Sequence, residues 1–223
     1  MKWTNEATGR TIEIYNEDCM PALAKMQENE FELAIVDPPY GIGDFWKGGD
    51  SKAFGYRKNE ASWNNDTPTK EYWDMILLKS KNQIIWGWNY YTEYLGNSDS
   101  LIFWNKRMGA PNYSQGEIAW TSFKHKIKIY DISRNSEKNG SLAIHPCSKP
   151  VKLYKKQISE YAKPNDRILD THLGSGSIAI ACWEMGFDLV GYELDKDYFD
   201  ATCKRLDDHF RQGVLFYYAT KIL

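Results

Sequence analysis

The apolar positions of this chain follow two alternating periods. Short β-branched runs at TIEIYN (11–16), ELAIVD (32–37), QIIWGW (83–88), SLIFWN (100–105) and EIAWTSF (117–123) predict strands, as do RILDT (167–171) and DLVGYEL (188–194). Between and after them, 20–26, 71–80, 150–162, Ser175 to Met185, and 195–210 read as helices. The alternation predicts an α/β fold with a mostly parallel twisted sheet covered by helices on both faces, in a single domain over 1–223. One stretch breaks the pattern. Residues 41–66 are rich in Gly, Lys, Asn and Trp with little period, which predicts a long flexible loop of functional use.

Composition narrows the class. The 223 residues suffice for a well-filled core, and 42% hydrophobic with 26% charged residues excludes a disordered chain. No apolar run is long enough to predict a membrane span, and the opening MKWTNEATGR lacks a signal peptide's apolar core, so a cytoplasmic location is expected. Cys19, Cys147, Cys182 and Cys203 are scattered, as are the four histidines, so neither a disulfide framework nor a metal site is expected. The formal charge of −2 sets no overall preference for polyanions. Lysines and arginines do recur locally at 106–113, 124–134 and 148–156, and a basic patch can sit on a weakly acidic protein.

Two stretches carry candidate chemistry. In RILDTHLGSGSIAIACWEMGFDLVGYELD (167–195) a strand ends at Asp170, and Gly174-Ser175-Gly176 turns into a helix. Glu193 ends the following strand, where an acid commonly accepts the hydroxyls of a ribose. A Gly-Ser-Gly turn also serves plain strand-to-helix packing, so the acids on either side are what point to a nucleotide. No Gly-Lys-Ser/Thr follows, which excludes a P-loop, and the full Gly-x-Gly-x-x-Gly spacing is absent.

The other stretch is LAIVDPPYGIG (33–43), an apolar strand ending in a rigid corner. Proline fixes its own φ and lacks an N–H, so Pro38-Pro39 stops the strand and leaves nearby carbonyls as acceptors. Asp37 adds a carboxylate and Tyr40 a flat face, a set that suits a planar ring with an exocyclic amino group. A structural strand end with a solvated Asp37 is the plain alternative.

DPPY at 37–40, with LDTHLGSGS at 169–177, resembles the S-adenosylmethionine-dependent amino-methyltransferases of DNA. The catalytic motif comes first, and HPCSKPVKLY (145–154) precedes the cofactor motif, the circularly permuted order of the β group. WGWNYY (86–91), FWNKR (103–107) and EIAWTSF further resemble phage and prophage members. The resemblance implies a Rossmann-like methyltransferase fold and S-adenosylmethionine as methyl donor, with S-adenosylhomocysteine as product and no metal. It departs at Thr171 and His172, where the family usually has Pro and Phe, and at Cys147-Ser148, in place of Thr-Gln.

The same resemblance implies residue roles. Asp37 and the Pro38 carbonyl accept the two hydrogens of the target amino group beside Pro39, and Tyr40 stacks on the base, which must be flipped from the duplex. Glu193, followed by Leu194, binds the ribose hydroxyls. Asp170 and the turn Leu173, Gly174, Ser175 and Gly176 border the methionine part, with Asp37 also bordering the cofactor. The segment 145–150, with His145 and Lys149, closes over the methionine carboxylate. Asp18 accepts from the cofactor's adenine amino group, with the Cys19 backbone beside it. A helix N-cap is the competing role for Asp18, and a plain buried thiol for Cys19. Asp at the head of the tetrapeptide favours adenine N6 over cytosine N4.

The partner implied is double-stranded DNA. The insert 124–144 is too short for a recognition domain, so contacts are expected from it, from the loop 41–66 and from a second subunit in a homodimer. Lys47, Lys52, Arg57 and Lys58 in the loop, with Lys106, Arg107, Lys124 and Lys126, are the candidate phosphate ligands. Methylation of RNA or of a protein amide keeps the same chemistry on another polymer. A non-catalytic nucleic-acid-binding subunit would not need the intact tetrapeptide. A nicotinamide-dependent oxidoreductase would leave DPPY unexplained.

Overall fold

Leu33 and Ile35 join one hydrophobic core, Ala34 and Val36 another, and all four are buried. A strand with no polar face must be covered twice, and the chain is built around that requirement. The computed structural model describes residues 1–42, 65–108, 114–136 and 148–221. Its strands are β1 (Lys2–Thr4), β2 (Thr11–Tyr15), β3 (Phe31–Val36), β4 (Ser80–Trp86) and β5 (Leu101–Asn105). They continue with β6 (Gly116–Thr121), β7 (Lys128–Asp131), β8 (Arg167–Asp170) and β9 (Asp188–Tyr192). The helices are α1 (Cys19–Lys25), α2 (Lys70–Lys79), the short α3 (Thr92–Leu95), α4 (Val151–Tyr161), α5 (Ser177–Met185) and α6 (Lys196–Lys221).

These strands form one sheet in the order β1-β2-β9-β8-β3-β4-β6-β5-β7. The run from β2 to β4 is parallel throughout, while β1 and β6 pair antiparallel to their neighbours. One core takes Ile12, Ile14, Ile168 and Leu189 against α4, α5 and α6. The other takes Val36, Ile85, Leu169 and Val190 against α1, α2 and α3. Both faces are therefore helix-covered, as the alternation predicted.

Each strand and helix read from the sequence is present. Two strands were not foreseen, β1 and β7, both at the ends of the sheet. α6 runs beyond its predicted end at 210 to Lys221.

The connectivity sets the position of the site. From β3 the chain moves outward to β4, and from β8 it moves the other way to β9. The sheet changes direction between β3 and β8, and in open α/β sheets ligands bind in the crevice at the carboxyl ends of the strands at such a point. Asp37 follows β3 there and Asp170 ends β8. Among the described residues no helix is long and apolar enough to cross a membrane.

Candidate active site at the carboxyl ends of β3 and β8

A cavity of about 670 Å³ opens at this crevice. The corner Asp37, Pro38, Pro39 and Tyr40 walls one side, and His172, Leu173, Gly174, Ser175, Glu193 and Leu194 wall the other. Asp18, Cys19, Ser148 and Lys149 also line it. The two stretches singled out in the sequence thus meet across one space. His145, Cys147, Lys47, Lys52, Arg57 and Lys58 lie outside the described residues.

The corner is held by a buried chain of charges. Lys149 Nζ is paired with the Asp37 carboxylate, lies 2.9 Å from Glu117 Oε2, and donates to the Tyr40 hydroxyl at 3.2 Å. Glu117 in turn pairs with Lys106 at 2.5 Å, and the Tyr40 hydroxyl donates to Asp37 Oδ1 at 2.6 Å. An ammonium has three hydrogens, and those of Lys149 are all engaged. Lys149 lines the cavity as expected of its segment, and its ammonium holds Asp37 there. Burial pushes the Asp37 carboxyl up, against the Lys149 ammonium, and the neighbouring Glu117 charge adds to the rise. Burial would also raise Glu117, but Lys149 and Lys106 outweigh it and take its carboxyl to about 2.

The ring of Tyr40 is packed by the segment after β4. Gly87 has φ +81°, and a Cβ there would fall 2.3 Å from Tyr40 Cε1, so no side chain fits. Tyr90 stacks on Tyr40 with centroids 4.8 Å apart and planes at 13°. Tyr91, fully buried, directs its hydroxyl to the Pro38 carbonyl at 2.6 Å and the Pro39 carbonyl at 2.7 Å. One hydroxyl hydrogen shared by two carbonyl oxygens leaves both with acceptor capacity.

On the opposite wall, Glu193 Oε2 accepts from the Gly174 amide at 2.8 Å and Oε1 from the Asp195 amide at 2.9 Å. Gly176 takes φ +71° at the head of α5, with Thr202 Cγ2 2.6 Å from where a Cβ would lie. Ser148 and Ser175 share a hydrogen bond of 2.6 Å, so the segment that replaces the family's Thr-Gln is tied to the glycine turn. The other departure forms its own network: the Tyr72 hydroxyl lies 2.7 Å from Thr171 Oγ1, which lies 2.9 Å from His172 Nδ1. Burial takes His172 down to about 4, so it faces the cavity neutral.

Two expected ligands stand outside the cavity wall. Asp170 and Gly176 do not line the cavity; Asp170 is 1% exposed and its Oδ1 accepts from the His172 amide at 3.0 Å. Asp18, in the cavity wall, also caps α1, its Oδ1 accepting from the Met20 amide at 2.9 Å. Cys19 is a buried thiol pushed up to about 12 by burial, with the Asp18 charge adding. Lys106 belongs to the buried charge chain rather than to an open surface. Arg107 is exposed at the carboxyl end of β5, the end of the sheet that bears Asp37, and its Nε donates to Asp131 at 2.7 Å. Lys124 and Lys126 are exposed beyond the end of β6. Because β6 runs antiparallel to β4, that is the opposite end of the sheet from Asp37, which counts against a shared role with the corner.

Tyr90 and Tyr91 in WGWNYY and Glu117 in EIAWTSF had no role assigned from the sequence. The available signals were a tyrosine pair after a strand end and an acid opening an otherwise apolar strand. Among the described residues no group of three or more His, Cys, Asp or Glu side chains could hold a metal ion.

Comparison with known proteins gives a consistent result. A family model described as DNA methylase matches residues 53–204. The Type II methyltransferase M.HpaI of Haemophilus parainfluenzae is 22% identical over 230 residues, which cover 86% of this chain and 73% of that protein. The crystal structure of an M1.HpyAVI–SAM complex superposes with a TM-score of 0.56 at 20% identity, covering 87% of this chain and 98% of the other. The cytosine-N4-specific PvuII DNA methyltransferase gives 0.61 at 14% identity, covering 90% and 92%.

Proposed function

This chain belongs to the N6/N4 DNA methylase family, and from that premise we propose that it transfers the methyl group of S-adenosylmethionine to N6 of an adenine flipped out of double-stranded DNA. It is an enzyme of the methyltransferase class, on the Rossmann-like fold shared by S-adenosylmethionine-dependent DNA methyltransferases. The observation that carries the reading is the single cavity walled by the Asp37–Tyr40 corner on one side and the Gly174–Glu193 turn on the other.

The residues present fit the methyl donor. Glu193 retains acceptor capacity beside two backbone amides, a setting for a ribose diol. Neutral His172 and exposed Leu194 offer flat and apolar surface next to it. When bound, S-adenosylmethionine supplies a methyl group activated by its sulfonium.

The chain's own work is orientation. Asp37 and the Pro38 carbonyl accept the two amino hydrogens, which leaves the nitrogen lone pair aimed out of the base plane. The Asp37 carboxylate, already accepting one N–H of the amino group, would take up the proton that the nitrogen loses once it is methylated. Lys149 keeps the Asp37 carboxylate in place, and Glu117 keeps Lys149 in place. Much of the rate gain then comes from fixed geometry and preset dipoles rather than from a strong base. Flipping the base costs a few kcal/mol of stacking, which contact with Tyr40 and the phosphates offsets. Arg107, at the catalytic end of the sheet, and the loop residues Lys47, Lys52, Arg57 and Lys58 are assigned to phosphates.

Asp at the head of the tetrapeptide supports adenine. Cytosine N4 is the second reading, since its amino group presents the same pair of hydrogens and the cytosine-N4-specific PvuII enzyme shares the fold. Tritium transfer from labelled S-adenosylmethionine to unmethylated DNA, followed by nucleoside chromatography, separates them. Wild-type protein is expected to yield N6-methyldeoxyadenosine, and Asp37→Ala to yield no labelled nucleoside while still binding the cofactor. Label in RNA or protein, or cofactor binding without transfer, would overturn the assignment.

A further inference from the structure

The segment Gly87–Tyr91 meets the catalytic corner three times, and one of these contacts has a specific chemical deficit. Gly87 admits the Tyr40 ring, Tyr90 stacks on it, and Tyr91 places its hydroxyl between two carbonyls. Tyr91 is fixed from other sides as well, with its ring 4.5 Å from that of Trp73 and 6.2 Å from that of Tyr40. Burial pushes its hydroxyl far up the scale, so the proton stays on it.

A hydroxyl has one hydrogen, and here it faces the Pro38 oxygen at 2.6 Å and the Pro39 oxygen at 2.7 Å. At any instant it serves one of them. Among the described residues no other donor reaches either oxygen. The pair is one donor short, next to the cavity that both prolines line.

We infer that Tyr91 is a positioning residue: its hydroxyl sets the Pro38 and Pro39 carbonyls side by side with one acceptor place unfilled, and an N–H of the target amino group completes it. A base with a keto oxygen at that position brings another acceptor to a site that lacks a donor, and is refused. The inference rests on the methyltransferase reading for the identity of the incoming group, and it adds a residue and a selection rule to it.

Tyr91→Phe removes a single oxygen and leaves the ring packed. The expected result is a fall in kcat of about tenfold, the scale of one lost hydrogen bond, with KM for DNA and the cofactor Kd within about twofold of wild type. A second measurement does not depend on turnover. With the cofactor site saturated by S-adenosylhomocysteine, adenosine and inosine are titrated by NMR. Wild type is expected to prefer adenosine by about tenfold, and Tyr91→Phe to lose most of that ratio. No preference in wild type, or a ratio the substitution leaves unchanged, overturns the inference whatever happens to kcat. Should wild-type protein transfer no methyl group to DNA, the enzymatic reading falls, while the adenosine-to-inosine ratio still decides for or against Tyr91.

Discussion

Asp170 ends a buried strand 1% exposed, and burial raises its carboxyl from 3.8 to about 8, with the Asp37 and Glu193 charges adding. Between those two values the unfolded chain binds fewer protons than the native one, so native stability falls as pH rises through the window. Asparagine cannot ionise and keeps an oxygen for the His172 amide. Asp170→Asn should therefore melt higher than wild type at pH 8, by about 3 °C or more, with the gap closing toward pH 4, as thermal unfolding monitored by circular dichroism would record. Residues whose partners are near in sequence were readable beforehand. Asp37 and Tyr40 share a tetrapeptide, and Glu193 follows the glycine turn at a familiar interval. Glu117 and Tyr91 were not readable, because each reaches the corner only after β4 and β6 are laid beside β3. The position of Lys149 was readable and its partner was not: the motif places a lysine near the site but carries no record of the second carboxylate that draws it inward.

The elements themselves followed from their apolar periods, since the central strands are buried on both faces and carry short apolar runs such as Leu33–Val36. β1 has three residues, and β7 alternates Lys-Ile-Tyr-Asp with Ile129 69% exposed, so neither left an apolar run to find. The turn after β4 is where local backbone and chemistry meet most closely. Gly87→Ala adds a left-handed strain and drives a methyl group into the Tyr40 ring, whereas Gly186→Ala, left-handed at φ +75° and with its nearest neighbour Thr8 Cγ2 at 3.4 Å, adds the strain alone. Each should lose about 1–3 kcal/mol in urea unfolding from backbone strain, with Gly87→Ala lower still and alone in losing activity. Equal effects of the two on methyl transfer would remove the link between this turn and the corner.

Across the whole molecule, the two ends of the sheet differ in kind. The carboxyl ends of β3, β5 and β8 bear the corner, Arg107 and Asp170, whereas Lys124 and Lys126 lie at the other end. DNA bound with a base in the cavity should lie against the first end only. Arg107→Glu is expected to weaken DNA binding several-fold in a fluorescence anisotropy titration and to flatten its salt dependence, while Lys124→Glu with Lys126→Glu changes neither. The reverse pattern would place the duplex on the far side.

The strand order holds one more consequence. β8 and β9, which come late in the chain, sit between β2 and β3, which come early. Severed between β7 and α4, the polypeptide would give two pieces, and the earlier one would have a gap of two strands in the middle of its sheet. Neither piece could shelter its apolar strands alone, and the catalytic corner and the glycine turn would sit on different molecules. Reassembly would then be second order in the fragments, and a mark left on a substrate would report that two fused proteins had met.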